Sequence, residues 1–572
     1  MFGFLKRNLG VSIVAAFLLA LVFIPIIQLV LSSFRLGHPA MQGEWTLQNY
    51  VAVYSLPLFY DALGKTLWLS AAGTVLTLTI AVFFAWLIER TDMPLRNLAW
   101  SFMLIPMAVP GVLFALAWAL LLSPKTGTIN ILLREVFQLM GLHFSHGPLN
   151  IYSLGGLIFL DGLRGVSTVF LMIVGAFRMM DPSLEEASRV SGVGPVRTFF
   201  RVTFPVLLPA VLAAAMYSFI SSMESFEAPL AVGLPANIFV LSTLIYFSVR
   251  LRIPVDYGLG AVFSFTFMFI MVFMLIAYRR AVRYAERFST ITGKGFRPRV
   301  IAIGRWRYLA LAFFGVYFLL TVMAPFGILF WASLLPSYHP PSMEALRSIS
   351  FVNYSTIFED SHLLEVTWNT LLLMLIAATS TMLLALSVSW IVVRSKIRGR
   401  ALLDSLMFVP HAIPGIVIGL AMIMVFLKPP FKYLGLYGTL WIVALGLIVN
   451  YIAFGTRLMN GAIVQIHKEL EEAAYVSGAR PMRTLFIITL PLLFPAFAAG
   501  WVWVGVHSLR AFSVPLVLAT ERNEVIAVSL WQYWSDGDVH LAAALGVLLM
   551  LVLVTLTLVM RRLIVNISRQ AN

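Results

Sequence analysis

There is no cysteine anywhere in this chain. Disulfides, thiolate metal sites and cysteine nucleophiles are thereby excluded. Charge is scarce as well: Asp, Glu, Lys and Arg make up 11% of the 572 residues, against 60% hydrophobic types. At a mean hydropathy of +0.92 the chain is too apolar for a soluble globule and belongs to the polytopic helical membrane class. A phosphate-binding glycine loop is missing too. Gly64-Lys65-Thr66 ends like one, but Phe59 stands where the first glycine is required. The chain is therefore expected to carry no ATPase site and to be no enzyme. No Ser/His/Asp set has informative spacing, and His143 and His146 lack matching ligands elsewhere, so no catalytic residue, metal or directly bound cofactor is expected. The charge that is present leans one way, to a net +15. In a soluble protein that would suggest nucleic acid; here it follows from Lys and Arg resisting translocation, and no nucleic-acid partner is expected.

What the chain does have is long apolar runs. A span needs about 20 such residues, at about 1.5 Å each across a core of about 30 Å. That criterion predicts helices near 11–33, 66–88, 98–122, 153–178, 204–223 and 259–279, then near 308–333, 369–393, 402–427, 438–460, 490–510 and 541–561. The expected fold is all-α and polytopic, with twelve transmembrane helices. Lys6 and Arg7 precede the first run, which reads as an uncleaved helix. The segment 278–307 holds nine Lys or Arg and one acid, Glu286, and so is expected on the cytoplasmic side. Counting outward from it puts every other basic loop, Arg394 to Arg400 included, and both termini on that same side.

One polar stretch occurs twice. Glu185-Glu186-Ala187-Ser188-Arg189-Val190-Ser191-Gly192 returns as Glu471-Glu472-Ala473-Ala474-Tyr475-Val476-Ser477-Gly478, 286 positions later. Pro195, Arg197, Thr198, Pro205 and Pro209 recur at the same offset. Earlier in each half the offset is 304: Asn49-Tyr50 with Asn353-Tyr354, Thr66 with Thr370, Trp86 with Trp390, Arg90 with Arg394, and Pro106-x3-Pro110-Gly111 with Pro410-x3-Pro414-Gly415. The 18 extra residues of the first half fit the outer stretch 123–150, expected as a loop with one short helix. Six helices per half make the repeats parallel, about an axis along the membrane normal. The expected division is 1–285 and 306–572, joined by a basic linker over 286–305.

Asp181-Pro182 places a capping carboxylate before a proline at a helix start, Gly192 and Gly478 can take the positive φ that ends a short helix, and Pro195 and Pro481 can open the next. Two short helices at an angle are expected over 181–205 and again over 467–491. As a pattern, E-A-[SA]-x3-G-x9-[VI]-x-[FL]-P, this resembles the EAA loop of type I ABC importer permeases, and the chain looks like a fused, two-repeat permease of that group. The Ser225-Phe226-Glu227-Ala228-Pro229 stretch is most similar to its ferric iron branch, with thiamine and 2-aminoethylphosphonate permeases as close competitors. The resemblance implies several things. Glu185, Glu186, Ala187 and Gly192, with Glu471, Glu472, Ala473 and Gly478, would dock two copies of a cytoplasmic ATPase, which uses the ATP and Mg. An external, periplasmic binding protein would deliver the solute, and the chain would sit among the lipids of a bacterial inner membrane. An ion-coupled secondary transporter would also have parallel halves, but it has no use for duplicated docking loops. A membrane-embedded enzyme would need a reactive constellation that is not found.

Ionisable residues within spans are costly and are functional candidates. Asp161 and Arg164 are expected to pair with each other. Glu224 aligns with Arg510, Glu227 with Ser513, and Ser221 with His507. Near the axis, Glu224 and Arg510 would pair as a gate, leaving Glu227 an unneutralised acid facing the pathway. Pro110, Gly111, Pro414 and Gly415 are expected to kink helices that either line that pathway or simply pack.

Overall fold

The structure is a computed structural model describing residues 2–286, 300–395 and 399–570, apart from 42, 182 and 480. Most of the expected linker, Pro182 and part of the Arg394–Arg400 loop lie outside the described residues. Twelve elements carry the fold: α1 (Phe2–Ser33), α2 (Pro57–Arg90), α3 (Gly111–Leu122), α4 (Leu154–Met179), α5 (Val196–Met223), α6 (Tyr257–Glu286), α7 (Trp306–Ser333), α8 (Ser361–Arg394), α9 (Gly415–Phe426), α10 (Leu440–Gln465), α11 (Ile487–Leu509) and α12 (Val539–Gln570). Among the described residues every regular element is helical, and strand pairing is confined to the isolated bridges Arg35–Trp45 and Thr91–Ile301. In a bilayer every backbone polar group must be satisfied internally, which a helix does within one segment.

The bounds repeat as the sequence does. α2 and α8 are both 34 residues long, and α4 and α10 are both 26. At about 1.5 Å per residue α2 and α8 are about 51 Å long, well beyond an apolar core of about 30 Å. They were expected only over 66–88 and 369–393; their polar ends lie outside the apolar window but continue the helix. The recurring Asn-Tyr pairs hold one turn in each half. Asn49 Nδ2 donates to Ser33 O and Arg35 O at 3.0 and 2.8 Å, and Asn353 Nδ2 to Ser333 O and Leu335 O at 2.8 Å each. Each thereby satisfies carbonyls left over at the end of α1 or α7. The Tyr50 and Tyr354 hydroxyls share hydrogen bonds with Ser33 Oγ and Ser333 Oγ at 2.6 and 2.7 Å.

Two expectations are corrected. The segments 98–122 and 402–427 are broken, not kinked: Arg96–Ala108 meets α3 at 95°, and Arg400–Ala412 meets α9 at 107°. Each break holds a 3-10 turn carrying Pro106 or Pro410, then Pro110 or Pro414 with extended ψ. A proline has no N–H to give and bars its predecessor from the α region, so two of them four residues apart stop the helix. A third bent pair, Pro229–Ala236 with Leu241–Leu251 at 79°, fills the stretch between 223 and 259, where no helix was expected. Among the described residues ten helices are long and apolar enough to span, or up to thirteen spans if each bent pair is one. The outer stretch 123–150 does contain one helix, Thr128–Leu139, tied down by Asn130 Nδ2 to the carbonyls of Leu122, Ser123 and Leu149.

The first helix of each half packs on the other half. Leu18 and Val22 of α1 join Ala378, Met382 and Ala385 of α8 in one buried cluster. Phe313 and Phe314 of α7 meet Phe83 and Phe84 of α2 at 6.0 and 5.8 Å between ring centroids. The broken helices α3 and α9 are buried over almost their whole length at the centre.

Candidate functional site

Each repeated polar loop folds as two short helices: Ser183–Val190 with Pro195–Thr198, and Lys468–Val476 with Pro481–Thr484. Asp181 Oδ1 accepts from Ser183 N at 2.9 Å and starts the first. Gly192 at φ 76° and Gly478 at φ 81° end them, and the next N–H reaches back to Ser188 O at 3.2 Å or Ala474 O at 3.0 Å. This is the left-handed closure for which glycine is suited.

The first glutamate of each loop turns inward, away from any partner. Glu185 and Glu471 are buried, at 4% and 7% exposure. Glu185 lies 3.5 Å from Arg90 Nε and accepts from Thr203 Oγ1 at 2.7 Å. Glu471 accepts from Arg394 Nε at 3.0 Å. The same arginines donate to carbonyls at the end of the neighbouring span: Arg90 to Phe177 O at 2.8 Å, Arg394 to Ile463 O and Ile466 O at 3.2 and 2.7 Å. One guanidinium thus ties α2 to α4 and to its loop, and the other does so for α8, α10 and theirs. Glu185 and Glu471 hold the loops and are not exposed to a partner. Arg90 and Arg394 were noted in the sequence only as repeat partners; a charge recurring at the end of a span was the signal available. Glu472 and both loop alanines, Ala187 and Ala473, are exposed, and Glu186 is partly buried. Beside them Val190 and Val476 are each 90% exposed, an apolar side chain held out at the same place in both loops.

A second feature lies between the halves. A cavity of about 610 Å³ is lined from the first half by Asp161, Arg164, Tyr217, Ser221, Glu224 and Glu227, and from the second by His411, Asn450, Tyr451, Trp503, His507 and Arg510. Glu224, Glu227, His507 and Arg510 are thus brought together, but not paired as expected. Among the described residues no ion pair joins Glu224 to Arg510. Arg510 Nη1 donates instead to Met107 O, in the break of the first half. The broken helix frees that carbonyl, and a half-buried guanidinium from the other half satisfies it. Glu227 is not an unneutralised acid: it forms an ion pair with Arg164. Asp161, expected to pair with Arg164, accepts from Ser222 Oγ instead.

Pro110, Gly111, Pro414 and Gly415 do not line the cavity; residues 106, 107, 109, 411 and 413 beside them do. The two glycines support its wall from behind. A Cβ at Gly111 would fall on Glu227 Oε2 and the Arg164 guanidinium, and one at Gly415 on Ser513 Oγ. Positions 227 and 513 are repeat equivalents, so one close approach is built twice.

Two equivalent helical halves closing on a polar cavity define a membrane transport component. The chain matches, over residues 81–290 and 382–569, the family described as binding-protein-dependent transport system inner membrane component. It belongs to that family, with one match in each half. It is a multi-pass inner-membrane permease of the ABC importer class. It is similar to the ferric transport system permease protein FbpB of Actinobacillus pleuropneumoniae, 25% identical over 88% of this chain and 71% of that one. It also resembles the Fe(3+)-transport system permease protein FbpB 2 of Haemophilus influenzae, at 22% over 89% and 91%. The sn-glycerol-3-phosphate transport system permease protein UgpA of Salmonella typhimurium matches at 27% over 42% of this chain and 81% of that one. Among solved structures, a bacterial ABC transporter involved in the import of the acidic polysaccharide alginate aligns over 45% of this chain and 94% of that chain, at 23% identity and TM-score 0.36. A likeness at that score supports no finer comparison.

Proposed function

We propose that this chain is the fused, two-repeat permease of an ATP-driven importer whose cargo is ferric iron. An external binding protein delivers the cargo to the cavity between the halves. Two copies of a separate cytoplasmic ATPase dock on the two loops and supply the hydrolysis; the chain has no phosphate loop of its own. The basic segments, with both termini and both docking loops, face the cytoplasm, as the charge asymmetry requires.

The observation that carries the coupling role is the duplicated anchor. A buried arginine-glutamate clamp ties each loop to two spans of its own half, so force on a loop reaches the wall of the cavity. Exposed Val190 and Val476, with Glu186 and Glu472 on the same short helices, offer an apolar contact rimmed by acid, the makeup of a specific docking patch. The cargo reading rests on the two ferric permeases, each matched over most of both chains, and is supported by a cavity whose first-half wall is acidic.

The test is uptake of radiolabelled iron into proteoliposomes holding this chain with its ATPase and binding protein. Iron accumulation that needs both ATP inside and the binding protein outside is the result expected. Accumulation of thiamine or 2-aminoethylphosphonate, with none of iron, would overturn the cargo and leave the importer.

A further inference from the structure

α5 and α11 set matching rows of side chains against the central cavity. Tyr217 and Ser221 on the first, with Glu224 capping its end, follow at i, i+4 and i+7, and Trp503 and His507 on the second, with Arg510 capping its end, keep the same spacing. Such spacing puts each set on one helix face. The rows are repeat equivalents, and their chemistry is opposite.

The α11 row is closed upon itself. Phe454 stacks on Trp503 with ring centroids 3.6 Å apart, and Trp503 on His507 at 3.7 Å. His507 Nδ1 donates to Trp503 O at 2.8 Å, and Tyr451 Oη to His507 O at 3.1 Å. Arg510 is held by Met107 O. The α5 row has no such closure. The Glu224 carboxylate makes no hydrogen bond and no ion pair among the described residues, although the residue is half-buried in the cavity wall. The repeat explains why. Arg510 answers the carbonyl of the first-half break; by the repeat the corresponding carbonyl in the second half is that of His411, and a carboxylate at position 224 has no hydrogen to offer it. The other charges of the cavity are engaged: Arg164 with Glu227, Asp161 with Ser222, Arg510 with Met107.

Resting on the cargo reading above, we propose that Glu224, with the Tyr217 and Ser221 hydroxyls on the same face, is the contact for a hard trivalent cation crossing the permease, and that the α11 row does not touch it. Carboxylate, phenol and hydroxyl oxygens are the donors a hard cation prefers, whereas a closed aromatic stack and a guanidinium repel or ignore it. Among the described residues no group of three or more His, Asp or Glu side chains is placed to hold a metal ion. One carboxylate with two weak helpers suits a pathway, where binding must favour entry yet permit exit. Transit is thus one-sided: the first half carries the cargo contact, and the second supplies an inert wall and a repelling charge.

The test uses the full chain in lipid nanodiscs with terbium(III), a hard trivalent probe whose luminescence nearby tyrosine and tryptophan sensitise. Saturable luminescence is expected in the wild type. Glu224→Gln should weaken the apparent affinity by about tenfold or more, and Tyr217→Phe by about threefold. Glu224→Asp should keep most of it, which excludes a folding defect at that position. Arg510→Gln should tighten it, since a like charge is withdrawn from the cation. No saturable signal in the wild type, Glu224→Gln equal to the wild type, or Arg510→Gln as weak as Glu224→Gln would each overturn the proposal. Iron uptake by the wild-type importer together with unchanged terbium binding in Glu224→Gln would remove this inference and leave the cargo reading standing.

Discussion

Arg90 and Arg394 show how much a single side chain is asked to hold in this protein. Each has its side chain buried at the end of a 34-residue helix, forms an ion pair with a glutamate of its loop and donates hydrogen bonds to carbonyls of a second span. Removing the acid strands the cation, and an uncompensated buried charge costs about 3 kcal/mol or more. Glu185→Ala and Glu471→Ala should therefore release their loops while sparing the spans. Hydrogen exchange over 183–190 and 468–476 should quicken selectively; uniform exchange across the chain would argue against the clamp. The glycines behind the cavity make a second case. Gly111→Ala meets both members of the Arg164–Glu227 ion pair, Gly415→Ala chiefly a serine that can rotate, so the first should lower the melting temperature more than the second. Equal shifts would contradict the close approach. At this scale the sequence was least legible. Arg164 and Glu227 are 63 positions apart, on α4 and beyond the end of α5, and aligning repeats could only set Glu227 against Ser513. Asp161 and Arg164, at i,i+3, are neighbours on one helix, yet each found its partner on another segment.

The elements were more legible, because apolar length and repeat spacing report directly on spans. Where reading failed, a short segment was responsible. The arms of the third bent pair, Pro229–Ala236 and Leu241–Leu251, are each too short for a window of about 20 apolar residues. The prolines of the other two bent pairs were visible, but whether they kink or break a helix depends on what receives the freed carbonyls, and for Met107 that is an arginine 403 positions later. The two repeated polar loops were legible in full outline, from the carboxylate start to the glycine end. What the pattern hid is the division of labour between adjacent glutamates, the first buried and the second nearer the surface. That division, with Val190 and Val476 held out, predicts that Val190→Asp and Val476→Asp leave the chain folded and inserted. Capture of the ATPase by the double variant should fall by about tenfold or more, since a charge replaces an apolar contact at the centre of the patch. Undiminished capture would place docking elsewhere.

For the molecule as a whole, the crossed packing of α1 and α7 ties the halves together independently of the chain between them. α1 is buried against the second half and α7 against the first, so neither half is a finished unit alone. Cutting the chain within 287–299 and producing both pieces together should yield a complex that copurifies and still transports, the intact linker having acted chiefly to raise effective concentration. Pieces that separate in mild detergent would show that the linker does more. The chain as a permease driven through two docked loops is tested most directly by the native mass of the complex it forms with its ATPase, read beside ATP-driven uptake by that same preparation. Two ATPase copies per chain, falling to one when Val190→Asp or Val476→Asp disables one loop, is the result expected. A single copy on the wild-type chain, or uptake that proceeds on an ion gradient without ATP, would contradict it.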